Sequence, residues 1–369
     1  MQEMVLSHRT LIFSKDRIYF LCRKNWWSED TIYDNFPSAI NDFESAQKIS
    51  FLADKEPEPI VAYNMQLYRY CERKFSKESD RIHAFTGILR SLSVQMKSGF
   101  LEGLFVSCFD ISIISWNNYP FSIKSTRQEG FPSWSWAGWG RIDGGYGFHC
   151  KVPGDANSWL RKMTYIVWYK RIPGTAKLEP VWDPSSTQKY GELEEHHIGY
   201  RPNSNDSYGR TIDESLESLR TKPDEEGDIW RAEIIHEAMV QRNYHFLHFF
   251  AYVVLITGFM DPPREEMHRV YTILGADRRS CGRIRFDDPQ LVEKVQCPHE
   301  LVLLSKMDQY DNFFYDGITL KRPFYWVMLI ARQGKEEVVA ERRGTGIFFE
   351  DCIKYTHLQG KEWKEIVLA

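Results

Sequence analysis

The residues best equipped for chemistry in this chain are histidines, cysteines and a tryptophan pair, and their spacing decides what each could do. His245 and His248 stand three residues apart. On a helix they would share a face and could begin a metal site. They sit instead at the opening of Phe246 to Met260, FLHFFAYVVLITGFM, whose β-branched and aromatic residues read as a buried strand. A strand sends the two rings to opposite faces. No HExxH and no nearby carboxylate completes a site, so both read as core or edge histidines, and no metal is expected. His196 and His197 lie in an acidic stretch and read as solvated. The run Asp143-Gly144-Gly145-Tyr146-Gly147 has hairpin-turn composition. It lacks the Gly-Lys-Ser/Thr ending and the strand-to-helix setting of a phosphate cradle. No GxSxG elbow occurs, and nothing in the spacing favours a Cys-His nucleophile pair.

The seven cysteines, Cys22, Cys71, Cys108, Cys150, Cys281, Cys297 and Cys352, are odd in number, far apart and form no CxxC. A disulfide framework or a zinc site needs pairs or close spacing, so they read as buried reduced thiols of a cytoplasmic protein. Trp134 and Trp136 alternate with Ser133 and Ser135, which in a strand would put both indoles on one face. Such a pair could stack a nucleobase or a partner surface. No basic patch accompanies it and the net charge is -4, so core packing is the better reading and no nucleic-acid partner is expected. Gly138 and Gly140 then allow a bulge or a close backbone approach.

The elements that must position these residues follow from composition and periodicity. With 369 residues, 43% of them hydrophobic and 27% charged, the chain can bury a sizeable core and reads as soluble, of roughly two domains. The N-terminus has no basic stretch followed by an apolar run, so no signal peptide is read. The longest apolar run, Phe246 to Met260, is shorter than the ~20 residues a spanning helix needs, so no membrane span is expected. Gln2 to Arg9 reads as the end of a helix. Thr10 to Phe13 and Ile18 to Cys22 read as a hairpin around Lys15-Asp16-Arg17. Three sets at helical spacing follow: Ile60, Tyr63, Leu67, Tyr70 and Cys71; then Ile82, Phe85, Leu89, Leu92 and Met96, behind N-cap candidates Ser76 and Ser79; then Leu101, Leu104, Cys108 and Ile111. Tyr190 to Asp228 is polar and acidic and reads as a flexible insertion, closed by a helix from Ile229 to Gln241. Strands are expected at Phe246 to Ile256, Leu301 to Ser305, Tyr325 to Ala331, Glu337 to Arg343, Thr345 to Phe349 and Ile366 to Ala369. The sum is an α+β chain: a helical part over 1–150, a β-type connection over 151–189, the insertion over 190–228, and a mainly antiparallel β-rich region over 229–369.

Pro132-Ser133-Trp134-Ser135-Trp136-Ala137, within FPSWSWAGW, resembles the most specific motif of fungal heterokaryon-incompatibility (HET) domain proteins. Other segments resemble the family in the same order. Gln2-Glu3 with Leu6-Ser7-His8-Arg9 looks like the family's block of tryptophan, threonine, any residue, glutamine, glutamate and its downstream leucine, serine, any residue, arginine. Phe20 to Cys22 looks like the following strand, and Ser79-Asp80-Arg81 leading to Ala84-Phe85-Thr86-Gly87-Ile88 looks like the family's Asp-Arg and Gly-Ile helix. Leu101 to Leu104 with Trp116 resembles the next one. Leu247-His248-Phe249-Phe250, Glu300 to Ser305, Tyr325 to Ile330 and Trp363 to Leu368 resemble the tail many of these proteins carry.

The resemblance implies a role in self/non-self recognition, programmed cell death and innate immunity in a fungal cytoplasm. The expected partner is a protein, such as another HET-type or NLR-like incompatibility protein, and no cofactor is expected. The family's earlier Trp-Gly and cysteine-isoleucine blocks do not appear, so 1–150 reads as the C-terminal portion of a HET domain lacking its first half. HET domains have been likened to TIR-type folds, some of which cleave NAD with a glutamate. The resemblance therefore also offers a second role, part of a NAD-hydrolysing enzyme, with Glu3 as the catalytic candidate. The bland reading of Glu3 is a helix-end carboxylate bonding backbone or Arg9. Gln2, Arg9, Asp80, Arg81, Pro132, Ser133, Trp134, Ser135 and Trp136 are carried over as motif residues of structural character.

Overall fold

The computed structural model describes residues 7, 9–13, 15, 18–22, 26–29, 63–64, 66–67, 70–71, 77–96, 98–106, 109–116, 126–139, 166–175, 177–181, 223, 229–261, 270–288, 297–307, 313–315 and 318–369. Gln2, Glu3, the 143–147 turn, His196, His197 and the insertion apart from Pro223 lie outside them.

Three short strands open the fold: β1 (Arg9–Phe13), β2 (Ile18–Cys22) and β3 (Trp26–Ser28), in that order. Arg9 begins a strand, not the end of a helix, and pairs with Cys22. Helical residues at Tyr63, Asn64, Gln66, Leu67, Tyr70 and Cys71 come next. A turn of 3-10 helix at His83–Phe85 runs into α1 (Thr86–Met96). Phe85, Ile88, Leu89 and Leu92 line its buried side at the expected spacing. Ser79 caps nothing: it lies inside a 3-10 turn, Glu78–Asp80, and donates to Asp80.

The third helical set is not a helix at its start. Phe100–Leu101 (β4) and Leu104–Phe105 (β5) pair as a hairpin. Glu102 (φ 48) and Gly103 (φ 86) form its two-residue turn. Positive φ at both central residues is what such a hairpin needs, and Gly103 supplies one of them without strain. The helix begins later, as α2 (Phe109–Ser115). Apolar spacing could not see that break.

The remainder is dominated by a ten-stranded sheet. It takes in β6 (Tyr169–Arg171), β7 (Leu178–Pro180), β8 (Phe246–Ile256), β9 (Gly258–Met260), β10 (Tyr271–Leu274), β11 (Ser280–Phe286) and β12 (His299–Met307). A separate hairpin, β13 (Phe313–Tyr315) and β14 (Ile318–Leu320), precedes the last three sheet strands, β15 (Phe324–Gln333), β16 (Val339–Phe349) and β17 (Glu362–Leu368). Nearly all pairings are antiparallel; β16 and β17 run parallel. The path closes on itself. Val253 of β8 pairs with Val302 of β12 on one side and Glu362 of β17 on the other. Val339 of β16 pairs with both Gln333 of β15 and Val367 of β17. Strands β8, β12, β15, β16 and β17 therefore form a ring, and within it β16, which also pairs with β11, is buried along its whole length.

The two segments expected at Glu337 to Arg343 and Thr345 to Phe349 are one strand, running through Gly344. Helix α3 (Ile229–Arg242) covers one face, packing Ile235 and Met239 against Val338, Val339, Val367 and Phe246. The main core is continuous from Tyr63 through the tryptophans to Leu368, so the helices and the sheet bury one another.

Candidate functional site

The tryptophan motif forms a tight turn rather than the strand its alternation suggested. Residues 132–135 turn, and Trp136–Gly138 makes one turn of 3-10 helix. Ser135 begins it: the serine is extended (φ -94, ψ 147), and its Oγ accepts the Ala137 N–H at 3.1 Å. The same hydroxyl donates to the Glu102 carbonyl at 2.7 Å. Glycine at 138 is required, because a Cβ there would overlap the Pro132 carbonyl oxygen.

Each indole takes a different wall of the core. Trp134 meets Phe109 edge-on at 5.8 Å between ring centroids. Trp136 packs edge-on against Tyr70 at 5.9 Å and Phe85 at 5.7 Å. Its Nε1 reaches the Gly103 carbonyl at 3.4 Å, and a Cβ on Gly103 would lie 2.7 Å from that nitrogen. Trp139 Nε1 donates to the Ser133 carbonyl at 2.7 Å. All three rings are fully buried. A nucleobase or partner cannot stack on any of these three indoles.

Ser133 fastens this turn to the sheet. Its hydroxyl accepts the Arg342 N–H at 2.9 Å and donates to the main-chain oxygen of Ala369. The Ser133 N–H reaches the same oxygen at 3.0 Å. Arg342 and Asp287, both buried, then pair in fork geometry, Nε to Oδ2 at 2.8 Å and Nη2 to Oδ1 at 3.0 Å. Burial pushes the Asp287 carboxyl up, against the pull of Arg342. The guanidinium also caps α2, donating to the carbonyls of Ile113 and Trp116, the latter at 3.2 Å, and stacks 3.6 Å from the Trp116 ring centroid. One arginine thus links β16, the end of β11 and the end of α2.

The other motif residues divide. Arg81 is buried and donates to the Trp139 carbonyl at 2.6 Å, while its own carbonyl accepts the Tyr70 hydroxyl at 2.6 Å. Arg81, Pro132, Ser133, Trp134, Ser135 and Trp136 therefore share one buried cluster. Asp80 and Arg9 are exposed, Arg9 on β1 and Asp80 in the 78–80 turn. Gln2 and Glu3 are outside the described residues.

The histidines do have carboxylates, supplied from far along the chain. His245 Nδ1 lies 2.7 Å from Glu102 Oε1, and His248 Nε2 lies 2.7 Å from Glu365 Oε1. Arg171 Nε donates to His248 Nδ1 at 3.0 Å, which leaves the ring proton on Nε2, facing Glu365. Burial holds His248 below its ordinary pKa, with Glu365 pulling it up and Arg171 pushing it down. Burial raises Glu365, but His248 and Arg231 outweigh it and hold the carboxyl below its usual range. The one acceptor nitrogen of this neutral ring is already occupied, so the dyad is built to hold β6, β8 and β17 together rather than to take a proton from a substrate.

Cys71, Cys281 and Cys352 are buried free thiols, whereas Cys297 is exposed, against the expectation of burial. The Cys281 thiol donates to the Arg279 carbonyl at 3.4 Å and the Cys352 thiol to the Ser280 carbonyl at 3.8 Å, and the interaction between the two thiols holds Cys281 below its ordinary pKa and pushes Cys352 up. Among the described residues no group of three His, Cys, Asp or Glu side chains could hold a metal ion. Nor, among them, is any helix long and apolar enough to cross a membrane. Sequence reading missed Arg342, Asp287, Glu102 and Glu365. The one local signal was Glu341-Arg342-Arg343, three charges in a row inside an apolar strand. No family model matches this chain, and no curated protein or solved structure matches it.

Proposed function

We propose that this chain acts by protein recognition, as a heterokaryon-incompatibility-type protein in fungal self/non-self recognition and cell-death signalling. The observation that carries the reading is the complete burial of the Pro132–Trp136 motif, bonded to Glu102, Gly103, Arg342 and Ala369. A motif consumed by the fold sets the shape of the molecule, and recognition then falls to the surfaces this shape presents. Expression in a fungal strain, followed by fusion to a panel of tester strains, tests it. Fused cells should die with a subset of testers, and unfused cells should be unaffected. Survival with every tester, at normal abundance of the folded protein, contradicts the proposal.

A further inference from the structure

Behind the tryptophan turn, three separate pieces of chain deliver guanidiniums to one carboxylate. Glu341 on β16 lies 2.9 Å from Arg343 Nη2 on the same strand, 3.3 Å from Arg242 Nη2 at the end of α3, and 3.9 Å from Arg127 Nη2. Arg127 is pinned by the Gln128 carbonyl and, at 2.9 Å, the Gly138 carbonyl. Its Nη2 also reaches the Tyr244 hydroxyl at 3.4 Å. Tyr244 leads from α3 into β8.

The charges do not balance. Three guanidiniums surround one carboxylate, and no further carboxylate among the described residues pairs with any of the three. The nearby Asp287 is already forked by Arg342, whose charge it offsets. Two positive charges are left over. Nor are the donors spent: Arg127 Nε, Arg242 Nη1 and Arg343 Nε make no hydrogen bond among the described residues, although Arg343 is only 9% exposed. Leaving charged donors buried and unmet is costly. The Arg242 side chain, 28% exposed, keeps the cluster in reach of solvent.

We propose that Arg127, Arg242 and Arg343, with the Tyr244 hydroxyl, form a binding site for a small phosphoryl anion. A phosphate monoester or inorganic phosphate carries about -1.5 to -2 charges at neutral pH and offers at least three acceptor oxygens. That matches the surplus charge and the convergence of forks from separate elements, where a second carboxylate would supply only two oxygens and one charge. The site is independent of the recognition role proposed above.

Isothermal titration of the full chain with sodium phosphate, at ionic strength held constant with chloride, reads the site directly. A single saturable event is expected. Arg242→Gln, at a part-exposed helix end that tolerates change, should weaken it about tenfold or more. Glu341→Gln should tighten it, because the carboxylate competes with the ligand for the same forks. Pyrophosphate binding more tightly than phosphate would extend the site to diphosphate groups; equal or weaker binding keeps it to a single phosphoryl group. Heat indistinguishable from the chloride control overturns the proposal, and so does binding that Arg242→Gln leaves untouched in a variant with parental circular dichroism. If Glu341→Gln fails to fold, the Arg242→Gln comparison decides alone.

Discussion

The hydroxyl of Ser133 accepts the backbone N–H of Arg342 at 2.9 Å, joining residues 209 positions apart. Through that bond the tryptophan turn and the buried Arg342–Asp287 pair become one connected unit, with helices on one side and the closed strands on the other. Ser133→Ala removes a hydroxyl that both donates and accepts in a buried place. It should lower stability by about 1–3 kcal/mol, read as a reduced urea midpoint at unchanged slope.

Trp134 fills its part of the core without a partner for its Nε1 among the described residues, so its contribution is packing. Trp134→Ala should lose about 3–5 kcal/mol and sharply reduce the melting temperature or soluble yield. Trp134→Phe, which keeps the ring, should lose less. A Trp134→Ala variant that melts like the parent would mean that the indole serves something other than the core.

Removing one partner of a buried ion pair strands the other. Asp287→Ala takes the forked carboxylate away from the buried Arg342 charge, and should cost about 3–5 kcal/mol. Replacing both residues with apolar ones of similar size should recover part of that loss in a double-mutant cycle. An additive cycle would contradict the coupling.

The pH dependence has a definite sign. Burial depresses the folded-state pKa of both His248 and His299 below 6.5. Their neutral forms are favoured in the fold, so this stability is fully present above pH 6.5 and is lost as pH falls through the folded values. Glu365 and Glu300, held below their ordinary 4.5, give a second loss at lower pH. Urea midpoints should therefore fall between pH 7.5 and 5.5, and His248→Gln should flatten that slope. A slope that His248→Gln leaves unchanged would remove His248 from the account.

Much of the architecture was legible because it follows local rules. The run Phe246 to Ile256 became β8 with the bounds read from its β-branched and aromatic content, α1 followed its apolar spacing, and α3 lies where a helix closing the insertion was expected. What escaped depends on backbone sign or on distance. Leu101, Leu104 and Ile111 sit at helical intervals, yet the positive φ of Glu102 and Gly103 bends them into a hairpin. Trp134 and Trp136 alternate like a strand, yet Gly138 lets the chain close beneath Pro132. The carboxylates beside His245 and His248 arrive from 143 and 117 residues away, beyond any spacing rule.

The claim that the chain works by recognition and not by turnover is tested most directly with NAD. Folded, monodisperse protein is incubated with NAD and nicotinamide release is followed beside a Glu3→Ala variant. No release above the buffer control is expected from either protein. Release by the parent that Glu3→Ala abolishes would contradict it and put the NAD-hydrolase reading first.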